Sequence, residues 1–287
     1  MRLPLALLLC GLLSQGCRPQ EGIAVIDGLG REVQVPERIE RVVTLAPNVT
    51  ELVAAAGALD RIVGVDSESD YPPPVGSLPK VGHLHPSLEA IAALRPDLVI
   101  ASTSGNPPSL EGSLAALGVP LYVVRTDRLD DIPAAIRSLG KLFGESAEDV
   151  AAQLERDLAA PPRSGKSLQV LLMLWPDPLF VAGRETFVSD LLERAGGTNA
   201  VAMSGWPTYS LETLIENPPD LILYPQDAIP PEVIAELREE GSMWNRVPAI
   251  RNGQLHPIPD DLVLRPGPRV AQGLAAIDTI LTSEEKQ

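Results

Sequence analysis

Only two cysteines occur in 287 residues, Cys10 and Cys17, and both lie near the N-terminus. Nothing is left to pair in the body of the chain, so its core must hold the fold together without disulfides. The same shortage removes any cysteine nucleophile. Aromatic residues make up 3% of the chain, which leaves few flat faces for stacking. Lysine is confined to Lys80, Lys141, Lys166 and Lys286, so arginine carries almost all the positive charge. That bias carries no functional reading. Positive charge as a whole is scarce: the net charge of −15 argues against nucleic acid or an anionic membrane surface as an electrostatic partner.

Several motifs of catalysis are missing too. There is no Gly-x-Ser-x-Gly elbow, no phosphate loop and no Gly-x-Gly-x-x-Gly after a strand-like run. A cleft enzyme of α/β architecture stays as an alternative on fold grounds alone.

Long hydrophobic runs are also absent. The longest, Leu3 to Leu13 in "MRLPLALLLCGLLSQGC", follows a basic Arg2 and is too short to span a bilayer. Residues 1–17 therefore read as an export signal. Cys17 directly after Gly16 resembles a bacterial lipoprotein cleavage site, where the thiol is acylated. Leu13 and Gln15 depart from that pattern, and plain secretion is the alternative. The expected location is periplasmic or otherwise extracytoplasmic, with membrane contact only through the lipid anchor.

What the chain does contain is alternation. "IAVIDGLGREVQV" (23–35) predicts a hairpin around Asp27-Gly28-Leu29-Gly30. β-branched runs at 41–45 and 61–65 then trade places with helical spacing at 50–57 and 88–94. Such alternation predicts parallel sheets covered by helices. From Leu129 to Ala160 the strand signal disappears, while Ile132, Ile136, Leu139 and Phe143 keep helical spacing. This segment predicts one long helical connector, kinked near Gly144. Alternation resumes at "LQVLLML" (168–174), and a final helix is expected after Pro268. The fold class is thus α/β: an N-terminal lobe (23–127), a helical connector (128–162) and a C-terminal lobe (163–287).

One sentence is written twice. "SLEAIAALRPDLVIA" (87–101) returns as "SLETLIENPPDLILY" (210–224), at matching places in the two lobes. An internal duplication accounts for this better than chance. Serine before Leu-Glu is a helix N-cap pattern that puts Glu89 and Glu212 in the first turn, where the helix dipole favours a carboxylate. The alternative is a matched pair of surface acids that docks onto two arginines of a partner. Composition alone leaves both open.

Together "RVVTLAPNVTELVAAAG", "VGVDSESDYPP", the first repeat copy, "PLFVAGRETF" and "WPTYSLETLI" resemble the periplasmic binding proteins of cobalamin ABC importers. More broadly they resemble the two-lobed class that also carries iron-siderophores and haem. The similarity runs from about residue 38 to residue 280. It implies a monomeric, non-catalytic carrier without a cofactor of its own. Its ligand would be cobalamin or another corrinoid, and its partners an ABC permease with its ATPase. It also implies a ligand cleft between the lobes, lined by Trp175, Phe180 and Trp206, and that Glu89 and Glu212 dock on permease arginines. Asp261 and Arg265 match a polar pair at the ligand's edge, and Arg269 a neighbouring basic position without a set role. Two departures stand out: Glu68 replaces a tyrosine, and Leu84 lies where a tryptophan is expected. Tyr71 matches a different tyrosine of the family.

Two tryptophans in proline-containing loops, Trp175 and Trp206, fit ligand contact better than packing, whereas Trp244 reads as structural. His83 and His85 in "GHLH" share a face if extended and could ligate a metal or a ligand's iron or cobalt. No third ligand is evident in the sequence nearby, so a metal site of the protein's own is not expected.

Overall fold

In both lobes, apolar runs of three to eight residues become parallel strands whose alternate side chains enter different cores. A computed structural model describes residues 22–104, 110–163 and 167–284. The chain opens on the expected hairpin, β1 (Gly22–Ile26) against β2 (Glu32–Pro36). Asp27 closes its turn by accepting from the amides of Leu29 and Arg31, both at 2.9 Å.

The first lobe contains β3 (Val42–Thr44), α1 (Pro47–Ala55), β4 (Ile62–Val65), α2 (Leu88–Leu94), β5 (Leu98–Ser102), α3 (Leu110–Ala116) and β6 (Leu121–Val124). Its four parallel strands run in the order β4-β3-β5-β6. Next come α4 (Asp131–Phe143) and α5 (Glu148–Leu158).

The second lobe contains β7 (Gln169–Pro176), β8 (Leu179–Val181), α6 (Phe187–Arg194), β9 (Thr198–Asn199), α7 (Leu211–Glu216), β10 (Leu221–Pro225), α8 (Pro231–Arg238), α9 (Pro248–Arg251), β11 (Leu255–Ile258), α10 (Asp260–Val263) and α11 (Val270–Glu284). Its parallel strands run β9-β7-β10-β11, with β8 added antiparallel to the far end of β7.

The two strand orders are the same: first strand in the middle, second on one side, third and fourth on the other. The repeat copies therefore become α2-β5 and α7-β10, equivalent units in the two sheets. Their shared aspartates do the same job. The Asp97 amide donates to the Arg41 carbonyl at 2.8 Å, and its carboxylate accepts from the Arg41 amide at 2.9 Å. Asp220 makes the corresponding pair with Gln169, at 2.8 and 2.7 Å. Each aspartate thus sets the register of the third strand against the first.

Period-two burial divides the core. Val42, Leu98, Ile100, Val170, Leu172, Leu221 and Leu223 face one continuous cluster that also takes in Ile132, Ile136, Leu154, Ile277 and Leu281. Their neighbours face two separate outer clusters, one per lobe. The lobes are therefore welded through α4, α5 and α11, and an opening motion must disturb dense packing.

The segment after residue 128 corrects the expectation of one long helix. Gly144 takes φ 71 and ends α4 in the left-handed conformation, which glycine adopts without steric cost. Arg137 then bonds both Glu148, at 2.8 Å, and Glu155, at 2.7 Å. In a continuous helix residues 137 and 155 would lie about 27 Å apart. The chain reverses, and α4 and α5 pack side by side.

Candidate ligand cleft

A cavity of about 540 Å³ lies between the lobes, near the carboxyl ends of the parallel strands. The first lobe supplies Leu45 to Asn48 after β3, His83 and Leu84, Thr103 and Ser104 after β5, and Thr126 and Asp127 after β6. The second supplies Glu185 to Phe187, Gly205 and Trp206, and Leu264 to Pro266.

Its floor is polar and internally bonded. The hydroxyls of Ser102, Ser104 and Thr126 lie 2.8 to 2.9 Å from one another. Buried Asn48 donates to Ser102 and Thr126, both at 3.3 Å, and to the Pro266 carbonyl at 3.4 Å, which joins the floor to the second lobe.

One wall is ionic. Arg265 bonds Asp70 at 2.6 Å and Asp261 at 2.9 Å, and lies 3.9 Å from Glu51. Arg269 grips both oxygens of Glu51, at 2.9 and 2.7 Å, and stacks over Tyr71 with its centre 4.4 Å from the ring. Burial pushes the Glu51 carboxyl up against the pull of Arg269 and Arg265. Desolvation acts upward on Asp70 as well, but the Arg265 hydrogen bond and charge win and hold it below its ordinary value.

Trp206 and Arg265 line the cavity, as do His83 and Leu84; Asp261 reaches it only through Arg265. Trp175 and Phe180 do not line it. They are cross-strand partners of β7 and β8, each more than a third exposed. Backbone pairing attaches them to the Trp206 segment: Phe180 bridges Thr208, and the Val181 amide donates to the Pro207 carbonyl at 3.2 Å. Trp244 packs against the second lobe's outer cluster.

His83 and His85 separate. The His83 imidazole faces the cavity with Nδ1 3.6 Å from buried Asp66, while His85 is exposed and outside the lining. Among the described residues no group of three or more His, Cys, Asp or Glu is set to hold a metal ion. The Glu68 carbonyl accepts from Arg265 at 3.4 Å.

Glu89 and Glu212 are exposed in the first turns of α2 and α7. The caps are the serines. Ser87 accepts from the Ala90 amide at 3.2 Å and Ser210 from the Thr213 amide at 3.0 Å. Cys17 and the rest of the signal segment fall outside the described residues, among which no helix is long and apolar enough to cross a membrane.

Sequence reasoning missed Glu51, Asn48, Asp127 and Glu185. Glu51 had a readable signal: an acid inside the apolar helix "VTELVAAA", where every residue from 48 to 53 is buried.

The vitamin B12-binding protein of Vibrio parahaemolyticus is 30% identical over 254 residues, which cover 84% of this chain and 89% of that protein. The periplasmic vitamin B12 binding protein BtuF of Vibrio cholerae matches with a TM-score of 0.75 at 30% identity, over 87% of this chain and 99% of that one. The periplasmic heme-binding protein RhuT of Roseiflexus sp. RS-1, in apo form, matches with a TM-score of 0.76 at 31% identity, over 85% and 98%. The family model described as "Periplasmic binding protein" covers residues 42–262, the span that holds both sheets and most of the cleft, and the chain belongs to that family.

Proposed function

We propose that this chain is the extracytoplasmic substrate-binding protein of an ABC importer, and that it captures cobalamin or a related corrinoid. The observation that carries the reading is the cavity between the lobes, with Trp206 on its wall, in a chain that resembles vitamin B12-binding proteins. Its volume lies within the usual range of small-molecule sites, and its open mouth lets a larger ligand protrude. Trp206 offers a flat face to the corrin ring, and Trp175 with Phe180 extend that apolar wall. Arg265 and Asp261 meet the ligand's polar edge. Members of the family are solute-binding proteins rather than enzymes.

Glu89 and Glu212 are assigned to docking on permease arginines, one from each lobe. Their exposure, and caps that do not use them, leave both carboxylates without a salt bridge among the described residues and open to a partner. The division into lobes at 23–127 and 163–287, export by residues 1–17, acylation of Cys17 and a monomeric state belong to the same proposal.

A second reading, haem as ligand, is favoured by one observation. His83 faces the cavity with the buried Asp66 carboxylate 3.6 Å from its Nδ1, a placement that a small shift would turn into the hydrogen bond that orients a metal-binding imidazole. Titration of the purified protein with cyanocobalamin, a ferric siderophore and haemin, read by tryptophan quenching, decides among these. Saturable cyanocobalamin binding at micromolar concentration or below is the expected result. Its absence would overturn the corrinoid reading and leave the family unchanged.

A further inference from the structure

The charges around the cavity bear on which ligand enters. Asp127, after β6, and Glu185, before α6, line it from opposite lobes; both are exposed. No salt bridge engages either among the described residues.

The arginine on the wall offers no compensation. Arg265 is held by Asp70 and Asp261, and Arg269 by Glu51, so three carboxylates already share two guanidinium groups. Asp127 and Glu185 add two more carboxylates, on the lining itself, beside this already acid-rich wall. Among the described residues that line the cavity, a ligand carboxylate meets no lysine or arginine free of a salt bridge, and two acids that have none.

Glu185 also occupies an unusual backbone position. Its φ of 62 lies in the left-handed region, where glycine is the default residue and glutamate is strained. The turn is held there by its neighbours: Arg184 donates to the Met203 carbonyl at 2.8 Å, and Gly205 donates to the Arg184 carbonyl at 2.7 Å. A strained acidic side chain on a cavity wall points to a role for that side chain in the cavity.

The floor has the same preference. The hydroxyls of Ser102, Ser104 and Thr126 can close as a ring in which each donates once. In that arrangement Ser104, the exposed member, has acceptance left to offer a ligand N–H group.

We infer that this cleft selects ligands whose periphery carries amides in place of carboxylates, with Asp127, Glu185 and Ser104 as the selecting groups. The inference rests on the corrinoid reading for its ligand class, and it narrows that class. Corrinoids with intact side-chain amides enter; haem with two ionised propionates and anionic siderophores are disfavoured.

Two ligand pairs that differ at the peripheral carboxylates test it: cyanocobalamin against its monocarboxylates with one peripheral amide hydrolysed, and haemin dimethyl ester against haemin. The wild-type protein is expected to bind the uncharged member of each pair more tightly, by about tenfold per charge at low salt. Raising the salt from about 50 to about 500 mM should narrow that ratio, because screening acts on exposed charges. Asp127→Asn with Glu185→Gln should bring it close to one, and Glu185→Gly, which removes charge and strain together, should move it the same way. A ratio unchanged in these variants, or a wild-type preference for the carboxylate members, overturns the inference. Binding of haemin ester over haemin without any binding of cyanocobalamin would sink the corrinoid reading and leave charge selection standing. Binding of neither pair would overturn both.

Discussion

Arg269 closes on Glu51 from the opposite lobe with two hydrogen bonds, at 2.9 and 2.7 Å, and the carboxylate it holds is almost wholly buried. Glu51 belongs to α1 and Arg269 lies just before α11, so the pair ties the N-terminal lobe to the segment that carries Arg265 into the cleft.

Breaking this pair should be costly, because it strands a charge away from water. Arg269→Ala is expected to destabilise the protein by about 3–5 kcal/mol, measured by urea unfolding. Replacing both partners with methionine should cost less than either single change, since no orphan charge remains. A loss within experimental error for Arg269→Ala would show that the tie contributes nothing.

Acid should act on the same cluster through Asp70. Arg265 holds its carboxyl below the ordinary value, so the folded state binds that proton less readily than the unfolded chain. Asp70 therefore stabilises the fold above its ordinary value, and this contribution is lost as pH falls through its lowered folded value. Asp70→Asn should flatten the acid limb of a stability–pH curve below about pH 4. Glu51 works with the opposite sign: burial raises its carboxyl, so acidification from neutral pH relieves a cost. An acid limb of equal slope in Asp70→Asn and wild type would remove Asp70 from the account.

The docking assignment separates partner contact from helix capping. Glu89→Lys with Glu212→Lys should abolish importer-dependent uptake while ligand affinity stays within about twofold, since both residues lie outside the cavity. Ser87→Ala should instead lower stability by about 1 kcal/mol and leave docking intact. Loss of affinity in the double lysine variant would place the glutamates in the wrong role.

Gly183 positions the second lobe's contribution to the cleft. A Cβ there would lie 2.1 Å from the Met203 carbonyl oxygen and 2.9 Å from that of Gly205. Gly183→Ala should therefore push apart the paired loop segments that present Glu185 and Trp206, with affinity lost by about tenfold or more. Retention of full affinity would mean that this loop pairing does not set the site.

The lobes were legible in the sequence because buried parallel strands and amphipathic helices announce themselves locally. The duplicated segment went further, since its helix and strand recur with the same strand order and the same register-setting aspartate. Reversal at Gly144 was harder to read: apolar spacing continues on both sides, and the left-handed Gly144 and the contacts of Arg137 with Glu148 and Glu155 reveal the fold-back. The cleft was legible in part. Trp206 and Arg265 stood out by residue type and resemblance, whereas Asp127 and Glu185 are ordinary acids whose meaning comes from lining one cavity from two lobes. Trp175 and Phe180 show the converse, aromatic residues whose exposed pairing on β7 and β8 leaves them beside the cavity instead of in it.

The central claim is that a corrinoid binds in the cavity between the lobes. Calorimetric titration of cyanocobalamin into the wild-type protein and Trp206→Ala tests it most directly. One ligand per chain is expected for the wild type, with affinity weakened about tenfold or more in the variant, the size of effect that losing a central aromatic contact produces. Heat changes indistinguishable from dilution in the wild type, or equal affinity in both proteins, would contradict it.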